Sequence, residues 1–187
     1  DRGTTPGQRG APSTTVQRSI GDDRTTRGRV QLDWFRSEPL LFADRVDVRA
    51  WWSRLDRREI TTQDRYIGFA NPATAAANRL RFTDTRQDQE LIGTDVQFRT
   101  TREFLGLTHR LTYGATVERI VTSRPRDRFE QDLLTGVQTR TVGGETYPNK
   151  NFPDTTTWQV GAYLQDEIRL GAFTFLPALR LDWYSLR

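Results

Sequence analysis

Few residues of this chain have the type and spacing for chemistry. His109 is the only histidine and there is no cysteine. Disulfides, thiolate zinc sites and cysteine nucleophiles are therefore excluded within the chain. No serine lies near His109 in sequence, so a Ser–His arrangement has no local support. Asp22-Asp23 and Asp166-Glu167 are adjacent carboxylates. On a strand, adjacent side chains face opposite ways, so neither pair can share a substrate as acid and base. The carboxylate-rich stretch 127–132 lacks a recognised calcium-loop pattern. These residues point away from an enzyme and provide no resident cofactor or metal site. The chain carries 28 basic and 24 acidic residues, and Lys150 is its only lysine. The arginines are interleaved with acids, as in Arg126-Asp127-Arg128, so no concentrated basic patch suggests nucleic acid.

The elements that must position these residues follow from polarity. Residues 1–27 are rich in Gly, Thr, Pro, Arg and Gln and have little to bury. They read as a disordered lead-in or the tail of an external loop. Beyond them, stretches of period-two alternation mark strands with two different faces. Six are expected, at about 29–36, 45–60, 80–99, 107–123, 157–170 and 173–186. Val30, Leu32 and Trp34 oppose Arg29, Gln31 and Asp33 in the first. Trp158, Val160, Ala162 and Leu164 oppose Gln159, Gly161, Tyr163 and Gln165 in the fifth. Thr, Val and aromatic residues dominate these stretches, which disfavours helix. Pro177 cannot donate to a ladder, so it suggests a bulge or a free edge.

Several stretches run longer than the five or six residues usual in soluble strands. No run of about 18 apolar residues exists for a transmembrane helix, but barrel strands need only about 9–11. Trp34, Phe98, Tyr113, Trp158, Phe173, Phe175 and Trp183 fall where aromatic girdles of a lipid-facing surface would lie. The opposite face, with Gln159, Tyr163, Gln165, Glu167, Arg180, Asp182 and Tyr184, suits water or a polar plug better than a dry core. Short connections at 37–43, 100–106 and 171–172 alternate with long ones at 61–79 and 124–156. That matches short periplasmic turns and long external loops. Asp166 and Arg119 fall on the lipid side, the first near the periplasmic interface and the second above the bilayer. The fold class expected is an all-β antiparallel transmembrane barrel segment. Six strands do not close a barrel, so the chain reads as a piece of a larger one. The competing reading is a soluble all-β binding module whose tryptophans stack on carbohydrate.

Three segments carry a resemblance. WQVGAYLQDEIRLGAFTFLPALRLDWYSL (158–186) resembles a barrel hairpin of TonB-dependent outer-membrane receptors, with its Y-x-Q-D-E strand, short turn and P-x-L-R-x-D-x-Y strand. THRLTYGATVERIVTSRPRD (108–127) and GGETYPNKNFPDT (143–155) are similar to the haem/haemoglobin branch, often grouped with transferrin and lactoferrin receptors. RVQLDWFR followed by VDVRAWWSRLD also fits that branch, and the resemblance covers about 28–187. It implies one part of a 22-stranded barrel in the outer membrane of a Gram-negative bacterium. It further implies a plug domain, energy from the TonB complex acting through that plug, and import of an iron-bearing ligand. That ligand would be haem or a haem protein, with a ferric siderophore as the alternative. No plug, TonB-contacting box, FRAP or NPNL signature is present in these residues, so the segment alone cannot transport.

Under this resemblance the ligand-facing candidates are Arg124, Arg126, Arg128, Tyr147, Lys150, Asn151 and Phe152. Arginine can pair with propionates or an acidic protein surface, and tyrosine and phenylalanine can stack on a porphyrin. The plainer reading is a solvated external loop. His109 is expected to be an ordinary residue near a periplasmic turn rather than a haem ligand, because an external ligand would meet the opposite end of its strand.

Overall fold

The structure, a computed structural model, describes residues 13–40, 42–71, 74–150 and 152–187. Its elements are all strands: β1 (Ser13–Arg36), β2 (Arg45–Gly68), β3 (Arg79–Phe104), β4 (Leu107–Ser123), β5 (Pro125–Asp132), β6 (Gln138–Thr139), β7 (Thr141–Val142), β8 (Glu145–Thr146), β9 (Asn149–Lys150), β10 (Thr155–Leu170), β11 (Phe173–Phe175) and β12 (Ala178–Leu186). The main sheet runs β1-β2-β3-β4-β10-β11, with β12 also on β10, while β5 pairs β3, β6 and β9; β7 and β8 form a separate ribbon. The long strands thus follow one another as a meander. The registered pairings are antiparallel. Among the described residues, the path β1-β2-β3-β4-β10 ends at β1 on one side and at β11 and β12, both on β10, on the other.

Contacts divide the chain into two compact units. Counting described residues alone, the first falls within Asp1–Thr25, Arg57–Gln87 and Arg124–Phe152, and the second within Thr26–Asp56, Asp88–Ser123 and Pro153–Arg187.

In the second unit, long registers sort side chains onto two faces, because directly opposed residues in an antiparallel pair share a face. Phe98 opposes Tyr113, which opposes Leu164, which opposes Leu179. Val96, Ala115, Ala162 and Leu181 form the next row, and Thr94, Val117, Val160 and Trp183 the one after. The other face runs Gln97, Gly114, Tyr163 and Arg180, then Asp95, Thr116, Gly161 and Asp182. The alternation in sequence therefore becomes one apolar and one polar surface. The apolar face is uncovered: Leu181 is 67% and Trp183 58% exposed. A soluble sandwich would bury that face against a second sheet.

Small residues on the polar face make room for large ones. A Cβ on Gly93 would stand 2.5 Å from the Trp51 ring. One on Gly114 would strike the Val96 carbonyl and lie 2.8 Å from the Tyr163 hydroxyl.

Several expected boundaries are corrected. Residues 13–27 belong to β1 rather than to a loop or lead-in, while 1–12 lie outside the described residues. β2 continues to Gly68 instead of stopping near 60, and β3 to Phe104 instead of 99. The connection expected at 100–106 shrinks to Leu105-Gly106, with φ of 50° and 71°. That is the two-residue hairpin turn with both central residues left-handed. The connection expected at 124–156 contains β5 to β9. The physical reason is common to most of these: a strand with similar polar surroundings on both faces has no period-two signal. At Pro177 the pairing offset is the same on both sides, with Ile168 opposite Phe175 and Gln165 opposite Ala178, so no residue is inserted. Pro177 breaks β11 from β12 without a bulge. Its carbonyl still accepts from Asp166 N at 3.0 Å.

Candidate ligand-binding site

The first unit gathers the groups best suited to hold a ligand. β3 and β5 pair from Arg79 opposite Asp132 to Thr85 opposite Arg126. Arg81, Thr83 and Thr85 therefore share a face with Glu130, Arg128 and Arg126. Tyr147, almost fully buried at 3% exposure, lies among these arginines. The guanidinium carbons of Arg126 and Arg128 stand 5.0 and 5.2 Å from its ring centre. Both also donate to its hydroxyl, at 3.0 and 3.2 Å. That hydroxyl donates to Glu145, which forms an ion pair with Arg126 at 2.7 Å. Arg128 Nε donates to Thr83 at 3.1 Å.

Two further arginines extend the cluster. Arg81 pairs with Glu130 at 3.1 Å, and Arg65 of β2 lies 3.7 Å from the other oxygen of the same carboxylate. Four arginines thus face two glutamates. Burial, and then the neighbouring Arg81, push the Arg65 guanidinium below its usual value, against the pull of Glu130. Burial also lowers Arg128, with Arg126 and Arg81 adding to it. Burial and the bond to Glu145 raise the Tyr147 hydroxyl. The same bond, with help from both arginines, holds Glu145 below the usual carboxylate range. Buried nitrogens of Arg65, Arg81 and Arg126 retain donors without a hydrogen-bond partner among the described residues. The arrangement is a crowded, partly dehydrated cationic cluster, and its chemistry is anion attraction.

The structure thus joins Arg126, Arg128 and Tyr147, but not all seven loop candidates. Arg124 and Phe152 border a separate hollow of about 260 Å³ with Arg57, Thr85 and Arg86. Lys150 lies in β9, opposite Pro125. Asn151 lies outside the described residues. Arg65, Arg81, Glu130 and Glu145 were not foreseen as site residues. Arg65 fell in a stretch read as a loop, and the other three join the cluster only through pairing that the sequence does not state.

His109 carries an unexpected contact. Its Nδ1 lies 2.6 Å from Asp166 Oδ2, on the apolar face of the second unit. Directly across the strands from the two residues are Arg102, Ile168 and Leu111. None of these is a nucleophile, so the pair has no acyl-transfer partner there. Glu167 turns to the other face and meets Arg110 and Arg169. Among the described residues, no cluster of three or more His, Cys, Asp or Glu could hold a metal.

The seven aromatic residues expected at a girdle all lie on the apolar face. Phe98 and Tyr113 stack at 5.3 Å, and Phe42, which was not foreseen, joins them at 5.8 and 6.3 Å. Trp158, Phe173, Phe175 and Trp183 follow from the register of β10 with β11 and β12. Trp34 follows by alternation, because Arg29, Gln31 and Asp33 are joined by hydrogen bonds on the opposite side of β1.

A meander with one apolar and one polar face matches what comparison with protein families finds. The model described as "TonB dependent receptor-like, beta-barrel" covers residues 1–187. The chain belongs to that family. No curated protein is similar enough to match it. TonB-dependent receptors as a family are outer-membrane transporters, and their barrels work with lipid, plug and the TonB complex. Membership makes the carbohydrate-binding soluble module the weaker reading of these tryptophans.

Proposed function

We propose that the chain is barrel wall of a Gram-negative outer-membrane receptor that imports an anionic, iron-bearing ligand and performs no catalysis itself. The girdle aromatics face lipid, and the polar face meets water and the plug. Residues of β2, β3 and β5 in the first unit, with Tyr147, meet the ligand on the external side. The cluster of Arg65, Arg81, Arg126 and Arg128 around Tyr147 carries the ligand part of this reading. An anion entering it recovers Coulomb energy that four crowded guanidinium groups lack.

Haem or a haem protein is the substrate suggested by segments 108–127 and 143–155. The arginines would then take the propionates or an acidic protein surface. A ferric siderophore is the second reading, and Tyr147 favours it. That ring is already occupied by Arg126 and Arg128, so the cluster offers anion contacts rather than a free aromatic plate for a porphyrin.

The test is growth of a strain lacking the gene, complemented with the full-length receptor, on haem or on ferric siderophores as sole iron source. Haem-dependent rescue lost in Arg126→Gln/Arg128→Gln supports the first reading. Rescue confined to siderophores supports the second, and rescue by neither sinks the iron assignment.

A further inference from the structure

The apolar face of the second unit contains a groove of about 420 Å³. We infer that it is a specific site for a phosphate-bearing, acyl-chained lipid, with the phosphate on Arg119 and a chain along the groove. This rests on the reading that the apolar face meets lipid.

Three observations carry the site. First, the floor is made by small side chains, Ala50, Thr94 and Val117, between taller walls from Leu32, Trp52 and Trp158. The register explains the hollow: Thr94 and Val117 are directly opposed, one row from Ile92, Arg119 and Trp158. A smooth lipid-facing wall would not leave such a trough. Second, Arg119 is the one cation among the lining residues, and it is exposed. An arginine on a lipid-facing surface is costly unless it reaches headgroup depth. The tryptophans beside it are residues that favour that depth. Third, the guanidinium is held but not neutralised. Its carbon stands 5.8 Å from the Trp158 ring centre, and no carboxylate pairs with it among the described residues. The nearby carboxylate on the same face, Glu90, instead accepts the Trp52 indole N–H at 2.8 Å. Stacking on Trp158 orients the planar fork, which matches two oxygens of a phosphate. The lining thus complements an apolar chain ending in an anion.

The full-length receptor in detergent should retain dimyristoyl phosphatidic acid about tenfold more tightly than dimyristoylglycerol, a difference in keeping with charge-assisted hydrogen bonds. Native mass spectrometry reads both. Arg119→Gln should abolish the preference, Arg119→Lys should restore part of it, and Ala50→Phe should weaken retention of both lipids. Equal retention by the unmodified receptor, or an undiminished preference in Arg119→Gln, overturns the site and leaves ordinary annular lipid. Quenching by bromine-labelled lipid, compared between the unmodified receptor and Trp158→Phe, separates the two levels. Quenching at Trp158 without a phosphate preference overturns the site alone. Absence of quenching overturns the lipid-facing reading with it.

Discussion

The two units are built from the same kind of strand, yet only one advertises itself in sequence. In the second unit, β10 alternates Trp158, Val160, Ala162 and Leu164 with Gln159, Gly161, Tyr163 and Gln165, and the registers turn that alternation into two chemically different faces. In the first unit, polar side chains on both faces join β3 to its neighbours β2 and β5. Arg58 grips Asp84 through two bonds of 3.0 and 2.8 Å, and on the other face Arg81 takes Glu130. Phe82 stacked on Phe129 at 5.2 Å is an apolar exception. Alternation therefore reports a difference between the surroundings of two faces, not the presence of a strand. Backbone pairing needs no such difference.

The largest expected effect that tests this contrast is a charge on the apolar face. Ala162→Arg should destabilise the bilayer-inserted receptor by about 2–4 kcal/mol, the usual cost near the midplane. Gln138→Arg, exposed in the first unit, should stay within about 0.5 kcal/mol. Urea unfolding in phospholipid vesicles compares them, and equal costs would erase the distinction.

Next comes packing on the polar face. Gly114→Ala should cost about 1–3 kcal/mol, because the new methyl meets the Val96 carbonyl and the Tyr163 ring together. Tyr163→Phe in the same background removes the hydroxyl 2.8 Å from that methyl. It should recover part of the loss, and no recovery would place the strain elsewhere.

A smaller effect is expected in ligand capture. Arg128→Gln should weaken binding of an anionic iron ligand about tenfold, the scale of one charge-assisted contact, without shifting the unfolding midpoint of the barrel. Isothermal titration against haem and a ferric siderophore reads this. Unchanged affinity for both would detach the arginine cluster from recognition.

The mildest effect is acid loosening of the first unit. Bonds to Arg57 hold Asp23, and bonds to Arg58 hold Asp84, below the ordinary carboxylate value of 3.8. A lowered folded-state value adds stability that is present above the ordinary value and is lost as pH falls through the folded one. Hydrogen exchange in 57–87, corrected for intrinsic rate, should therefore lose protection below about pH 3.8. Protection that persists at still lower pH would mean that these pairs do not hold the strands.

The same contrast explains what could be read from the residues. β4 was legible from end to end because Leu111, Tyr113, Ala115 and Val117 alternate with polar neighbours. Residues 13–27 were not, since Val16 and Ile20 are their only large apolar residues and the surrounding Gly, Ser, Thr and Asp imitate a loop. Arg126 and Arg128 could be proposed from type and position alone. Their meeting with Arg65, Arg81 and Glu145 depends on register and on how the 124–152 segment folds. The His109–Asp166 contact is similar: it joins two strands at a diagonal that only the pairing reveals.

The central claim is that the apolar and polar faces of the second unit meet lipid and a polar interior respectively. These 187 residues contain no cysteine, and single cysteines at 158–165, placed in a receptor from which any cysteine elsewhere has been replaced, can carry spin labels after reconstitution in vesicles. Collision with lipid-dissolved oxygen should peak at 158, 160, 162 and 164 and fall at 159, 161, 163 and 165. Equal oxygen access at both sets, or peaks at the odd positions, would contradict the account.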